Sequence, residues 1–157
     1  MLSVTLTDSE VMAVGVAGAL RQCRAVVNGD SHAHNFKGDG FQIHVDGLGA
    51  EMAVARLLDL YYDPFAPQRD RDRGDVRGLH VRSTGHEAGC LIMHRGDPHG
   101  VYLLVIGTLP TYRLAGFYRH GGDLGSRWWR AQAPNPAYFI PQSALKPIPM
   151  RHANTNT

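Results

Sequence analysis

Apolar residues recur at helical spacing in the first third of the chain. Thr7-Asp-Ser-Glu10 has the residue types of a capping box. After it, apolar residues recur every three or four positions, as on one face of a helix. Asn28-Gly29 is a typical helix stop. The pattern therefore predicts a helix that continues to about Val27, with the apolar positions Met12, Val16, Ala19, Leu20, Cys23 and Val27.

A second helical pattern extends from about Gly47 to Tyr62, and Pro64 ends it. The stretch before it, Phe41 to Val45, is open to two interpretations. It is either a short strand or the lead-in to this second helix.

Strand-like segments follow the two helices. The apolar and β-branched runs predict strands over 79–84, 90–94, 101–107 and 112–119, with a hairpin-like link at 108–111. The third of these segments is apolar on both faces, which indicates a central strand. Residues 121–136 are irregular in pattern, 138–140 predict a last edge strand and 143–145 a short turn.

The predicted helices precede the predicted strands along the chain, and this order is typical of an α+β fold. A chain of 157 residues is most economically one domain. We expect this domain to cover residues 1–150 and residues 151–157 to form a disordered tail.

Composition narrows the class of protein. No run of about 18 apolar residues occurs, so we expect no membrane span. Two widely separated cysteines, Cys23 and Cys90, fit a reducing cytoplasm better than a disulfide scaffold. The net charge of +2 is too small to imply nucleic acid by itself. Fourteen of the 16 basic residues are arginine, which suits phosphate recognition but also follows from a GC-rich genome.

One glutamate stands in the apolar stripe of the second helix. Glu51 shares a helical face with Leu48, Val54, Ala55 and Leu58. Burial of an ionised carboxylate costs several kcal/mol unless it has a cation, a metal or a proton. The pattern therefore indicates either a functional acid or a structural ion pair with a buried arginine.

Polar groups also stand on the strand over 79–84. Side chains alternate along a strand, so His80 and Arg82 share one face, and Asp75 lies before the turn that leads into the strand. These groups and Glu51 can converge where helix and sheet meet. Two carboxylates suit a hard cation such as Mg²⁺, which activates water, and a nearby cation stabilises charge on a phosphate.

The segments "GAEMAVARLL", "DV" at 75–76 and "LHVRST" at 79–84 together resemble the PD-(D/E)XK restriction-endonuclease-like superfamily, and especially its small members from bacteriophages and prophages. The similarity continues through "YLLVIGTLPTYRLAGFY" and "AYFIPQSALKP". The resemblance implies a mixed sheet of four to five strands flanked by helices. It also makes Glu51 the helix acid, Asp75 the first strand acid, His80 the second-acid position and Arg82 the lysine position.

The resemblance implies a metal-dependent DNA nuclease, acting in the host cytoplasm if the chain is viral. Glu51, Asp75 and His80 would hold Mg²⁺ or Mn²⁺, and Arg82 would stabilise the phosphate. Two positions depart from the superfamily, which expects Asp, Glu or sometimes Gln at position 80 and lysine at position 82, where this chain has His80 and Arg82. Histidine prefers softer metals, and arginine cannot give up a proton as lysine can.

Three functions remain open at this stage. The chain is a nuclease with an altered site, a nuclease fold that binds DNA or protein without cleaving, or a structural domain with a Glu51–Arg82 ion pair. In the third case the apolar strands and tryptophans serve packing or self-association, which would make the protein a homo-oligomer.

Other residues are candidates for contacts with a DNA backbone. Arg69, Arg71 and Arg73 alternate with aspartates just before Asp75, so a solvated loop is the alternative interpretation. Arg127 and Arg130 flank Trp128-Trp129, a mixture typical of single-strand binders, with core packing as the alternative. His32 and His34 form a pair that can ligate zinc, but no further ligands complete a familiar set.

Overall fold

A computed structural model describes residues 2–29, 40–66 and 74–149. The predicted tail 151–157, the histidine pair and the three arginines of 69–73 lie outside the described residues. The elements, in chain order, are β1 (Leu2–Thr5), α1 (Asp8–Val27), α2 (Gly40–Leu57), β2 (Leu79–Thr84), β3 (Leu91–Met93), β4 (Gly100–Thr108), β5 (Thr111–His120), β6 (Trp129–Arg130), β7 (Ala137–Ile140) and a 3₁₀ helix (Gln142–Ala144).

The capping box predicted for α1 is present. The backbone N–H of Thr7 donates to Glu10 Oε2 over 2.7 Å, and the N–H of Glu10 donates to Thr7 Oγ1 over 3.4 Å. The predicted end at Val27 is also confirmed. These features are predictable because a helix cap depends on residues only three positions apart.

The face that α1 buries is not the predicted apolar stripe. The buried residues of α1 are Val14, Ala17, Gly18 and Ala25, whereas Met12, Val16 and Leu20 are exposed. The reason is the closeness of the two helices: a Cβ added at Gly18 would lie 2.6 Å from Val45 Cγ2 of α2. Small side chains therefore face α2, and larger apolar ones face outward.

Helix α2 begins earlier and ends earlier than predicted. Residues 41–45 are part of this helix, so the strand alternative was wrong. The helix ends at Leu57 because Asp59 adopts φ +53 and the N–H of Leu60 bonds the carbonyl of Ala55 over 2.8 Å. This is a left-handed C-terminal cap, so the chain leaves the helix well before Pro64.

The larger sheet is mixed, in the order β1-β5-β4-β2. β2 pairs with β4 in parallel, and the other pairs are antiparallel. One face packs against α2 through a cluster that includes Ala53, Val54, Val81 and Leu103. The other face packs against a smaller sheet, β3-β7-β6. The α+β class and a four-stranded mixed sheet are therefore confirmed.

Strand β4 is buried on both faces, as its sequence predicts. The strands β2, β4 and β5 match their predicted bounds closely, and Leu109-Pro110 forms the turn of the β4–β5 hairpin. The predicted edge strand at 138–140 is instead the middle strand of the smaller sheet, since β6 pairs with it. In the part of the chain that the structure describes, no helix is long and apolar enough to cross a membrane.

Candidate functional site

The carboxyl group of Glu51 lies where α1, α2 and the segment after α2 meet. Its side chain is only 12% exposed. The phenol of Tyr62 donates a hydrogen bond to Glu51 Oε2 over 2.6 Å, and Arg21 Nη1 of α1 lies 3.7 Å from Oε1. Glu51 thus has an arginine partner on α1, and the predicted alternative of a Glu51–Arg82 pair was wrong.

The protonation of Glu51 is set by its surroundings. Burial, and to a smaller extent the negative charge of Asp75, raise the pKa of its carboxyl from 4.5 to about 7. The Tyr62 hydrogen bond and the charge of Arg21 act in the opposite direction but are weaker than burial. Burial, and then the charge of Glu51, also raise the pKa of the Tyr62 phenol. Glu51 therefore exchanges its proton near neutral pH and is electrostatically coupled to Asp75.

Asp75 covers the outer edge of β2. Its backbone N–H bonds the carbonyl of Leu79 over 2.7 Å, and its Oδ2 accepts the N–H of Val81 over 2.7 Å. The turn requires glycine at position 74, which has φ +68 and where a Cβ would lie 2.7 Å from the carbonyl carbon of Gly78. One carboxylate oxygen of Asp75 is thereby used to satisfy a strand edge.

His80 and Arg82 face the opposite side of the larger sheet. Val81, between them, packs against α2, so strand alternation directs its neighbours toward the smaller sheet. The ring of His80 is 4% exposed and stacks on Tyr102, with centroids 4.4 Å apart. Gly100 makes room for this ring, since a Cβ there would lie 2.9 Å from His80 Cδ2.

Arg82 reaches Asp97, a buried acid in the turn after β3. Its Nη2 lies 3.5 Å from Oδ2 of Asp97, whose side chain is fully buried, and its guanidinium stands 5.4 Å from the centre of the Tyr102 ring. Asp97 also accepts the N–H of His94 over 2.9 Å, so it does stabilise its turn. No local signal marks its second role, because the two residues meet only when β2 and the turn after β3 pack together.

The predicted site residues thus form two groups. Glu51 and Asp75 are coupled at the α2 side, and His80 and Arg82 lie with Tyr102 and Asp97 on the other face. Within residues 2–29, 40–66 and 74–149, no group of three or more histidine, cysteine or acidic side chains is arranged to hold a metal ion. Glu51 and Asp75 alone would leave most coordination positions of Mg²⁺ to water.

A separate groove opens on the smaller sheet. It has a volume of about 570 Å³ and is lined by Cys90, Trp128, Arg130, Gln132, Ala133, Phe139 and Pro141. The backbone N–H of Phe139 donates to the carbonyl of Trp128 over 2.9 Å, which holds the two aromatic residues side by side. Trp128 also stands edge-on to Tyr118, with centroids 5.8 Å apart.

Two further arginines lie over the tryptophans in and beside this groove. The guanidinium of Arg127 is 5.4 Å from the ring centre of Trp128, and that of Arg95 is 4.2 Å from the ring centre of Trp129. Residues 124–149 contain Arg127, Arg130 and Lys146 and no acidic residue. This segment is therefore basic, although the net charge of the whole chain is only +2.

In comparisons with known proteins, no family model, no curated protein and no solved structure matches this chain. The resemblance to the PD-(D/E)XK superfamily therefore depends on the quoted sequence segments alone.

Proposed function

We propose that this protein binds single-stranded nucleic acid in the groove of the smaller sheet. The observation that carries the proposal is the aromatic pair Trp128 and Phe139 beside Arg130, in a segment with no acidic residue. Aromatic side chains in a basic groove bind bases by stacking and phosphates by charge, without regard to sequence. Cys23 and Cys90 are free thiols, which supports action in a reducing cytoplasm.

The shape of the groove favours one strand over a duplex. Its volume of about 570 Å³ suits a ligand of small-molecule size, such as one nucleotide with its base inserted. Bases of a duplex are stacked on one another and offer no free face, whereas an unpaired base can stack on Trp128 or Phe139. We therefore expect duplex DNA to bind weakly and only through charge.

Fluorescence anisotropy of labelled oligo(dT) and of a matching duplex tests the proposal. We expect Phe139→Ala to weaken oligo(dT) binding by about 5- to 150-fold, the range for loss of one stacked base. We expect Arg130→Gln to weaken it and to reduce the slope of log K against log salt by about 0.7. Arg24→Gln is the control, because it removes the same charge from an exposed arginine on α1. Equal losses in Arg130→Gln and Arg24→Gln would contradict the assignment of the groove.

A second candidate function is metal-dependent cleavage of DNA at Glu51 and Asp75. The observation that favours it is the electrostatic coupling of these two carboxyls, one of them buried with a pKa of about 7. Carboxyls with strongly shifted pKa values are concentrated at functional sites. Glu51 and Asp75 would hold Mg²⁺ or Mn²⁺, whose chemistry is activation of a bound water. His80 and Arg82, which lie on the other face, would support the fold and not the reaction.

Cleavage is tested separately from binding. Plasmid and single-stranded DNA are incubated with Mg²⁺ or Mn²⁺ and either the native chain or Glu51→Gln/Asp75→Asn, a pair of changes that keeps side-chain size. The control is His80→Gln. Cutting that is lost in the double variant and kept in the control supports the second candidate. Binding without cutting would contradict the second candidate and leave single-strand binding as the one proposed function.

A further inference from the structure

Helix α1 carries an uncovered apolar stripe. Its buried face packs on α2, and the opposite face carries Met12, Val16, Leu20 and Val27, which are 64%, 56%, 44% and 83% exposed. Cys23 lies in the same stripe and is exposed. On a helix these positions follow one another at three- and four-residue intervals, so they share one face.

The first part of the stripe, before Arg24, is unusual for an exposed helix face because it lacks charge. Residues 11–20, VMAVGVAGAL, contain no charged side chain. Exposed faces of helices in single-chain proteins are normally polar, and a continuous apolar patch marks an interaction surface. The stripe is therefore an interaction surface in its composition and size.

We infer that two copies of this chain pair through α1. The exposed parts of the apolar side chains amount to roughly 500 Å² per copy, so complete burial of the stripe in a pair removes at most about 1,000 Å² from water, close to the lower limit for a specific interface. An uncharged stripe fits an identical uncharged stripe, and a two-fold pair brings the same patch of both copies together.

The sizes of the side chains also suit helix pairing. Gly15 and Ala19 lie at the border of the stripe between larger residues, and a Cβ added at Gly15 would meet nothing within 4 Å. Side chains such as Met12 or Val16 of the second copy can pack into the space above these small residues, as ridges pack into grooves between helices. The stripe extends from Met12 to Val27, which is about 24 Å of helix available for contact.

Pairing through α1 leaves the basic groove free. The layers follow the order α1, α2, larger sheet and smaller sheet. The groove belongs to the smaller sheet, at the far side of the molecule from α1. The pair therefore presents two grooves, and its existence does not depend on what they bind.

Sedimentation equilibrium of the native chain tests the inference over about 1–300 µM, the range in which an interface of minimal size is expected to dissociate. We expect a mass that approaches twice 17.2 kDa at the upper end. Val16→Glu/Leu20→Glu should remain at the mass of one chain, because the pair would bury four unpaired charges. Ile92→Glu, at a side chain 38% exposed on β3, is the control and should still pair.

Cross-linking of the native cysteines gives a second measurement, which does not depend on the folding of a charged variant. A bis-maleimide reagent should link two chains through Cys23, so Cys23→Ser abolishes the linked product and Cys90→Ser does not. A native chain that stays monomeric throughout the concentration range overturns the inference and leaves the stripe to a different protein or another segment of the chain. Linkage through Cys90 alone also overturns it.

Discussion

The phenol of Tyr62 and the carboxyl of Glu51 are joined by a hydrogen bond of 2.6 Å in a position that is almost closed to water. Glu51, the acid in the apolar stripe of α2, is therefore a buried carboxyl group with a hydrogen-bond donor held beside it. Its chemistry follows from burial, which makes the neutral form favourable up to about pH 7.

This burial predicts that stability falls as the pH rises. The folded-state pKa of Glu51 is raised from 4.5 to about 7, so the stability contributed by its proton is complete below pH 4.5 and is lost as the pH rises through 7. Glu51→Gln keeps an uncharged group of the same size. At pH 8 it should be more stable than the native chain by up to about 3 kcal/mol, and at pH 4.5 nearly equal to it.

Urea unfolding at several pH values measures this difference. A constant difference between Glu51→Gln and the native chain from pH 4.5 to 8 would show that Glu51 titrates normally and is not desolvated.

The charge of Asp75 can be separated from its hydrogen bond. Asp75→Asn keeps an oxygen that accepts the N–H of Val81 and removes the charge that raises the pKa of Glu51. We expect the pKa of Glu51 to fall in this variant, as measured by carbon NMR of the glutamate carboxyl during a pH titration. Asp75→Ala should in addition destabilise the fold by about 1–3 kcal/mol, because the N–H of Val81 loses its acceptor. No change in the Glu51 titration would mean that the carboxyls are uncoupled.

Arg82 and Asp97 should behave as a partly buried pair. Arg82→Met leaves the fully buried carboxylate of Asp97 without this cation, and we expect a loss of about 3 kcal/mol in the free energy of unfolding. Because Asp97→Asn keeps an acceptor for the N–H of His94, the double variant should lose less than the sum of the two single changes. Additive losses in this double-mutant cycle would contradict the pair.

The stacking of His80 on Tyr102 depends on the glycine beside it. Gly100→Ala places a Cβ 2.9 Å from His80 Cδ2, so we expect a destabilisation of about 1–3 kcal/mol. The same change in a His80→Ala background should cost clearly less, because the ring that it strikes is absent. Thermal unfolding of the four proteins measures both, and an equal cost in the two backgrounds would contradict this packing.

Local signals in the sequence predicted much of this fold. The capping box of α1 and the strands β2, β4 and β5 depend on residues a few positions apart, and all of them are confirmed. The end of α2 was missed because Asp59, and not the more obvious Pro64, takes the left-handed conformation. β6 has only two residues and exists because β7 pairs with it. Two residues are too few to show an alternating pattern, so the sequence did not predict this strand.

The site was harder to predict because it depends on which elements meet. Strand alternation correctly predicts that His80 and Arg82 share one face. It does not predict which layer of the fold that face contacts. The arginine beside Glu51 comes from α1, and the acid beside Arg82 comes from the turn after β3. Both contacts join distant parts of the chain, and a single sequence carries no signal for either.

An NMR map of the residues that contact single-stranded nucleic acid tests directly whether the groove of the smaller sheet is the binding site. Unlabelled oligo(dT) is titrated into the ¹⁵N-labelled chain, and the amide shifts of Arg130, Gln132 and Phe139 are followed beside those of Val14 in α1. We expect large, saturable shifts in the first three and none in Val14. Saturable shifts concentrated around Glu51 and Asp75, or no shifts at all, would contradict it.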